Sequence, residues 1–569
     1  MPHPSISFHR HAAMKPALPK WRSHVVLLLL CIGFASLCVR AFWVQCIRSD
    51  FYIRQGRKRY EHAIERAPGR GRVLDRNGAV LAISEPVQDV WIEPADFSRA
   101  SAAERASIAS LLGLAARELA DKAASRKRFL YLKRGVAIEP AARVAALGVP
   151  GVHLSAAARR YYPGGSDFAQ LVGFTGLDGH GLEGVERAED RTLAGTASRA
   201  DVIVDRLGRA VENVSAPSPG RPGDDVVLSI DRRIQHVAMV AVQRSITRFA
   251  AAAGCAIVLD ARTGEILALA NAPTFDPNRQ SGAYDARFRN RALSDVFEPG
   301  STIKPVTVAL ALQQGVVTPD TRFDTSPGVL KLYGSVIHDT SNHGDIPVTQ
   351  VIAKSSNIGM VKIAGRLAAK DMWQAFRDFG IGERPIADFP AIARGTLRPA
   401  ARWKPIEQAT MAYGYGLSVS LSQLADAYTV FARDGRRRPL SLVRVASPRA
   451  GLDVVSPRTA AQIRDMLEAA VAPGGTAGIA RLPDYRVGAK TGTARKQSGA
   501  GYARGKYHAV FVGMAPMSEP RLIVAVMIDE PSKGAYYGGP VAGPVFAEIM
   551  ENALHLLGVP PDRPAAARR

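Results

Sequence analysis

Glu298-Pro299-Gly300-Ser301-Thr302-Ile303-Lys304-Pro305 leads into Val306-Thr307-Val308-Ala309-Leu310-Ala311-Leu312. The second run is almost wholly apolar and reads as a buried helix. Pro305 fits only its first turn, where a missing N–H does no harm. Gly300 frees the backbone just before it. Ser301 therefore sits at the mouth of a helix, with Lys304 one turn further on the same face. A lysine drawn into such a place is costly to keep charged, so its pKa should fall. A neutral amine beside a hydroxyl can take its proton and make the serine a nucleophile. Ser301-x-x-Lys304 is the only Ser-x-x-Lys in the chain. Ordinary composition would supply about one by chance in a chain of this length. A helix-capping serine and a snorkelling lysine would read the same, so the tetrapeptide needs partners.

Two partners follow in order. Ser355-Ser356-Asn357 holds the only Ser-x-Asn. Alone it could cap a helix; with chemistry, Ser355 could relay a proton and Asn357 could hold a substrate amide. Lys490-Thr491-Gly492-Thr493 lies on an expected strand. Alone it is an edge-strand lysine beside a glycine bulge. With chemistry, Gly492 lets a substrate backbone lie against the strand. Lys490 and the threonine hydroxyls could then hold a carboxylate, and a backbone N–H there could serve an oxyanion hole.

The surrounding chain is too long for one core: 569 residues suggest two to four modules. Hydrophobic residues make up 47% and charged residues 22%, as in a globular protein. Of the four cysteines, Cys31, Cys38 and Cys46 lie near the N-terminus and Cys255 stands alone, so neither a disulfide framework nor a metal cluster is expected. The formal net charge of +23 comes from scattered Arg among Ala. No nucleic-acid-binding motif accompanies it, and a solvated basic surface is the better reading.

Residues 1–24 are polar and basic and read as a loose tail. Residues 25–47 are long enough to cross a bilayer, which takes about 20 residues. Trp21 and Trp43 flank them near the interfaces, and Arg40 lies near one end. No small-x-small cleavage site stands out, which favours an uncleaved anchor over a signal peptide. Arg10, Lys15, Lys20 and Arg22 precede the span, while Arg48, Arg54, Arg57, Lys58 and Arg59 follow it, so charge leaves the orientation open.

Residues 48–222 form a second module. Asn77-Gly78 marks a hairpin turn, residues 103–146 read as helices, and the glycines of Gly181-Leu182-Glu183-Gly184 and Asp205-Arg206-Leu207-Gly208 read as turns. It carries no evident nucleophile and reads as structural or partner-binding. Residues 217–225 are a Pro/Gly-rich linker. Residues 223–558 form the third module. A helix is expected over 234–249, strands over 256–259 and 266–269, and three more over 485–494, 509–515 and 522–528. A closing helix is expected over 545–557. The pattern is α+β: an antiparallel sheet of about five strands, split around a helical insert, with helices on both faces. Residues 559–569 read as a flexible tail.

Each motif is weak alone. Together, each once and in the order Ser301, Ser355, Lys490, they form a serine acyl-transferase signature. The chain resembles the class B penicillin-binding proteins, the monofunctional peptidoglycan D,D-transpeptidases, over nearly its whole length. Arg70-Gly71, Asp75-Arg76-Asn77-Gly78, Arg160-Tyr161-Tyr162-Pro163, Gly173-Phe174-Thr175, Val296-Phe297-Glu298, Gly414-Tyr415-Gly416 and Tyr536-Tyr537-Gly538-Gly539 look like the division-specific branch (FtsI type). Gln170 stands where His is expected, Ser420-Leu421 replaces Thr-Pro, and residues 387–402 depart from the pattern.

The resemblance implies the penicillin-binding-protein transpeptidase fold, an elongated pedestal (or dimerisation) domain and one transmembrane helix. It implies Ser301, Lys304 and Ser355 as catalytic residues and Asn357, Lys490, Thr491, Gly492 and Thr493 as substrate-binding residues. The backbone N–H groups of Ser301 and Thr493 would form the oxyanion hole. Stem peptides ending in D-Ala-D-Ala would be the substrate, β-lactams would trap the acyl-enzyme, and no metal or organic cofactor would be needed. Implied partners are a membrane-embedded septal glycan polymerase and other divisome proteins. The catalytic domain would lie in the periplasm, anchored in the inner membrane. An elongation-type transpeptidase and a β-lactam-binding sensor or scaffold are the alternatives. A hydrolytic lactamase would need neither anchor nor pedestal, and no Glu-x-x-x-Asn of a class A enzyme lies between the second and third motifs.

Overall fold

The computed structural model describes residues 20–66, 69–204, 210–213, 218–279, 286–386, 389–499 and 501–563. The chain divides into two compact units, Met1–Pro68 with Thr196–Arg221, and Gly69–Gly195 with Pro222–Arg569. In the first unit, a helix over Lys20–Phe42 continues as a π-helical turn over Trp43–Ile47. Its apolar side chains are exposed, and the whole segment Lys20–Ile47 is long and apolar enough to cross a membrane. A second helix, Ser49–Tyr60, leads to a sheet of Glu61–Arg66, Ser198–Val204 and Ala210–Asn213. Residues 20–24 of the expected loose tail (1–24) are instead the first turn of the Lys20–Phe42 helix, and its residues 1–19, like the turn over 205–209, lie outside the described residues.

The second unit opens with the rest of the pedestal. Val73–Leu74 and Val80–Ile92 form a hairpin, and Gly78 takes the positive φ of 87° that its turn requires. Leu130–Val136 and Val152–Tyr161 pair with opposite edges of Val80–Ile92. The stretch 103–146, expected to be helical, thus contains a strand between its helices. Alternation of Leu130 and Leu132 with exposed Tyr131 and Lys133 carried that signal, masked by the Ala/Arg-rich flanks. Gly184, expected in a turn, opens a short helix, Gly184–Ala188. Glu186 on that helix is fully buried between Arg70 and Arg160, at 2.7 and 2.6 Å. Gln170 is buried too, donating to the carbonyls of Pro273 and Arg287 at 3.1 and 2.9 Å.

The transpeptidase-like module begins with α1 (Arg232–Phe249), then β1 (Ala253–Asp260) and β2 (Ile266–Ala272). The insert supplies α2 (Lys304–Gln313), α3 (Asn357–Ala364), α4 (Leu421–Ala432) and α5 (Pro457–Val471). The chain returns as β3 (Gly488–Ser498), β4 (Gly501–Ala515) and β5 (Leu522–Asp529), and ends in α6 (Gly538–Leu556). The sheet runs β2-β1-β5-β4-β3, antiparallel throughout, so β3 is an edge strand. β5 explains the layering. Leu522, Val524, Val526 and Ile528 join the core shared with α1 and α6, while Ile523, Ala525 and Met527 join the core shared with α4. Both faces are covered, so the strand is apolar without interruption.

α6 starts seven residues before the expected 545; Pro540 lies in its first turn, where a missing N–H does no harm, and the helix carries Pro544 in its interior. Residues 559–563, expected to be loose, are tied down: Asp562 accepts from the Arg486 and Ser518 N–H groups at 2.7 and 3.0 Å, and Val559 O accepts from Tyr485 Oη at 2.7 Å.

Removing the acid of a buried ion group strands its bases. Glu186→Ala is expected to destabilise the protein by about 3–5 kcal/mol, read by equilibrium urea denaturation; a change within about 0.5 kcal/mol would contradict it.

Candidate active site

Ser301 occupies a 3-10 turn, Gly300–Ile303, that runs straight into α2. Gly300 has φ of 52°, and its N–H donates to Gly414 O at 3.2 Å. A side chain on Gly414 would strike the Gly300 carbonyl, so the close approach needs a glycine there. Thr302, Ile303 and Lys304 are buried, while Ser301 remains partly exposed. From α4, Tyr428 Oη donates to Thr302 O at 2.8 Å and fixes the turn from behind.

Lys304 is fully buried. Its Nζ donates to Ser355 O at 2.6 Å and to Asn357 Oδ1 at 2.8 Å, and lies 3.2 Å from Ser355 Oγ. Burial holds this amine well below its ordinary range; Lys490 pushes it the same way, and Asp339 opposes. A neutral amine has two N–H bonds, which the two carbonyl oxygens can take. Its lone pair is then left for a hydroxyl. Lys490 is also fully buried, and its Nζ donates to Ser355 Oγ at 2.9 Å. Burial brings it down to about 7. The Ser355 hydroxyl thus stands between two lysines, able to accept from one and donate to the other.

Ser355 has φ of 61°, unusual for a residue with a side chain, and this turns it out of the helix that follows. Ser356 caps α3 by accepting from Gly359 N at 2.9 Å. Asp339 completes the cap, accepting from Ser356 Oγ and from the N–H groups of Asn357 and Ile358. Asn357 Nδ2 donates to His338 O at 2.8 Å. The amide expected to hold substrate is therefore engaged at both ends, and in this state it orients Lys304.

Lys490, Thr491, Gly492 and Thr493 lie along edge strand β3. A Cβ on Gly492 would come within 2.8 Å of Thr302 Cγ2 and 3.0 Å of Pro299 O, so the glycine lets β3 press against the Gly300–Ile303 turn. Thr493 Oγ1 accepts from Gly538 N at 3.0 Å, which leaves its own proton to point elsewhere. Gly538 opens α6 against the Gly492 and Val510 carbonyls, where a side chain has no room.

The structure brings all eight expected residues into one site. The motif reading did not include Asp339, Gly414 and Gly538. Asp339 lies in the polar run Asp339-Thr340-Ser341-Asn342, 17 residues before Ser356. Only the fold carries it to the α3 terminus, so no local spacing reports it.

The chain is similar to known proteins over nearly its whole length. A family described as the penicillin-binding protein transpeptidase domain matches residues 254–551, and the penicillin-binding protein dimerisation domain matches 65–228. The probable peptidoglycan D,D-transpeptidase PenA of Neisseria gonorrhoeae is 40% identical over 557 residues, 97% of this chain and 96% of its own. The peptidoglycan D,D-transpeptidase FtsI of Escherichia coli is 35% identical over 548 residues, 95% of this chain and 93% of its own. Among solved structures, the transpeptidase domain of Burkholderia pseudomallei penicillin-binding protein 3 is 48% identical, with a TM-score of 0.55, covering 59% of this chain and 98% of that one.

The lowered pKa of Lys490 has a consequence for stability. Between about 7 and the ordinary 10.5, the unfolded lysine is protonated and the folded one is not. The unfolded state binds more protons there, so stability rises with pH across that window. Lys490→Met is expected to be more stable than the wild type below pH 7, with the gain shrinking toward pH 10.5. Urea denaturation across a pH series measures this; a gain independent of pH would contradict it.

Proposed function

The chain belongs to the penicillin-binding protein transpeptidase family, and from this we propose that it is a serine-type peptidoglycan D,D-transpeptidase that cross-links stem peptides during septum synthesis. The observation that carries the reading is the convergence of two buried lysines, Lys304 and Lys490, on the Ser355 hydroxyl behind Ser301. In the first step Ser301 Oγ attacks the carbonyl of the penultimate D-Ala. Neutral Lys304 takes the serine proton. The N–H groups of Ser301 and Thr493 stabilise the oxyanion. Ser355, with Lys490, passes a proton to the departing D-Ala amine, while Lys490, Thr491 and Thr493 hold the terminal carboxylate. In the second step an amine from a neighbouring stem attacks the acyl-enzyme and forms the cross-link. β-Lactams enter the first step and stall at the second.

Residues 25–47 serve as the membrane anchor, 48–222 as the pedestal and 223–558 as the transpeptidase domain in this reading. Lipid-linked substrate and glycan lie outside the cytoplasmic membrane, so the catalytic domain faces the periplasm and residues 1–24 the cytoplasm. The similarity to FtsI of Escherichia coli supports the septal assignment. In this reading its partner is a membrane-embedded septal glycan polymerase.

The purified protein, mixed with a fluorescent penicillin, is expected to form a stable adduct that Ser301→Ala abolishes. With a D-Ala-ending thioester and an acceptor amine it should form the transfer product. Lys304→Ala should slow acylation by about 10²–10⁴-fold. Rapid penicillin turnover would indicate a lactamase, and labelling without transfer a sensor. Depletion in cells should give filaments; rounded cells would assign the elongation branch.

A further inference from the structure

Glu298 lies three residues before Ser301 and is only 3% exposed. Its Oε1 accepts from Gly416 N at 2.8 Å, Gln497 Nε2 at 3.0 Å and Tyr502 Oη at 3.3 Å. These donors come from two different walls of the cleft. Gly416 belongs to the turn over 414–416. Gln497 and Tyr502 are paired across β3 and β4, beyond the Lys490–Thr493 segment. Oε2 is buried and makes no hydrogen bond among the described residues. Burial raises the carboxyl above its ordinary range, and the three donors oppose that rise. An apolar side chain of similar size would avoid this cost but make none of the three bonds.

The two walls also meet each other. Tyr415 and Tyr502 are in edge contact, with centroids 6.1 Å apart. Backbone bonds already join the nucleophile turn to the segment over 414–419, through Phe297 with Val419 and Gly300 with Gly414. The outer part of the β3–β4 hairpin meets the nucleophile turn through the Glu298 carboxylate.

We propose that Glu298 is a positioning residue for acylation, tying the nucleophile turn, the 414–416 turn and the β3–β4 hairpin into one rigid rim. The edge of β3, along which the acyl group must be aligned, then keeps a fixed distance from Ser301 Oγ. This rests on the acyl-transfer reading above.

The test measures the pre-acylation dissociation constant and the acylation rate constant separately, with a chromogenic penicillin. Wild type and Ser301→Ala serve as references. Glu298→Ala should lower the acylation rate constant by about 10²-fold, the cost of a misplaced nucleophile, while the dissociation constant stays within about threefold. Glu298→Gln keeps the Oε1 acceptor and should recover to within about fivefold of wild type. Gln497→Ala with Tyr502→Phe, which leaves the nucleophile turn untouched, should lose about tenfold. Adding Glu298→Ala to that pair should cost no more than Glu298→Ala alone, because the same bonds are removed. Wild-type acylation by Glu298→Ala, equal loss in the Gln variant, or full additivity would each overturn the proposal. Should Glu298→Ala not fold, the hairpin double variant decides alone, and an unchanged rate constant there overturns it. A wild type that forms no Ser301 adduct would instead overturn the acyl-transfer reading, and this proposal with it.

Discussion

Two buried lysine amines that meet at one serine hydroxyl are the constraint on which the rest of the site depends. Among the described residues, neither lysine has a carboxylate in hydrogen-bond contact; the acid that acts on Lys304, Asp339, is occupied by the α3 terminus. Two ammonium groups there would face desolvation and mutual repulsion together. Neutralising Lys304 relieves both, and a neutral Lys304 is what the proposed nucleophile, Ser301, needs. The strain of the site and its chemistry therefore have one origin. Ser355 pays part of it in backbone conformation, since only its left-handed turn places Oγ between the amines.

The fold exists to hold three separate segments at this point. The five-stranded sheet is buried on both faces, which makes its edge β3 a stiff wall. Glycines at 414, 492 and 538 allow close approaches that a Cβ would block, and Gly300 takes the left-handed φ of 52° that its turn requires. Gly492 sets β3 against the Gly300–Ile303 turn, and Gly538 seats the start of α6 against β3. Asp339 fixes α3 from a loop that precedes it. The lysines are thus placed by a frame whose parts are far apart in sequence.

Much of this was legible before any coordinates. The pairing of Pro305 with an apolar run gives a buried helix and therefore a buried Lys304, because helix periodicity and burial are local properties. The strands 522–528 and 256–259 are equally plain, being apolar without break. Leu130–Val136 was hidden because flanking alanines and arginines suit a helix better than the strand that tertiary pairing imposes. The engagement of Asn357 with Lys304 and His338, the Asp339 cap and the Glu298 bonds were not legible. Each joins residues brought together only by the sheet and its insert, and spacing along the chain carries no record of them.

The most direct measurement is a titration of the Lys304 amine by NMR, in Ser301→Ala protein carrying isotope-labelled lysine, with Lys304→Arg used to assign the signal. The account predicts titration far below the ordinary 10.5, and an upward move when Lys490 is replaced by methionine, since Lys490 contributes to the lowering. A Lys304 that titrates near 10.5 would contradict it, because the amine would then be charged at neutral pH and could not accept the Ser301 proton.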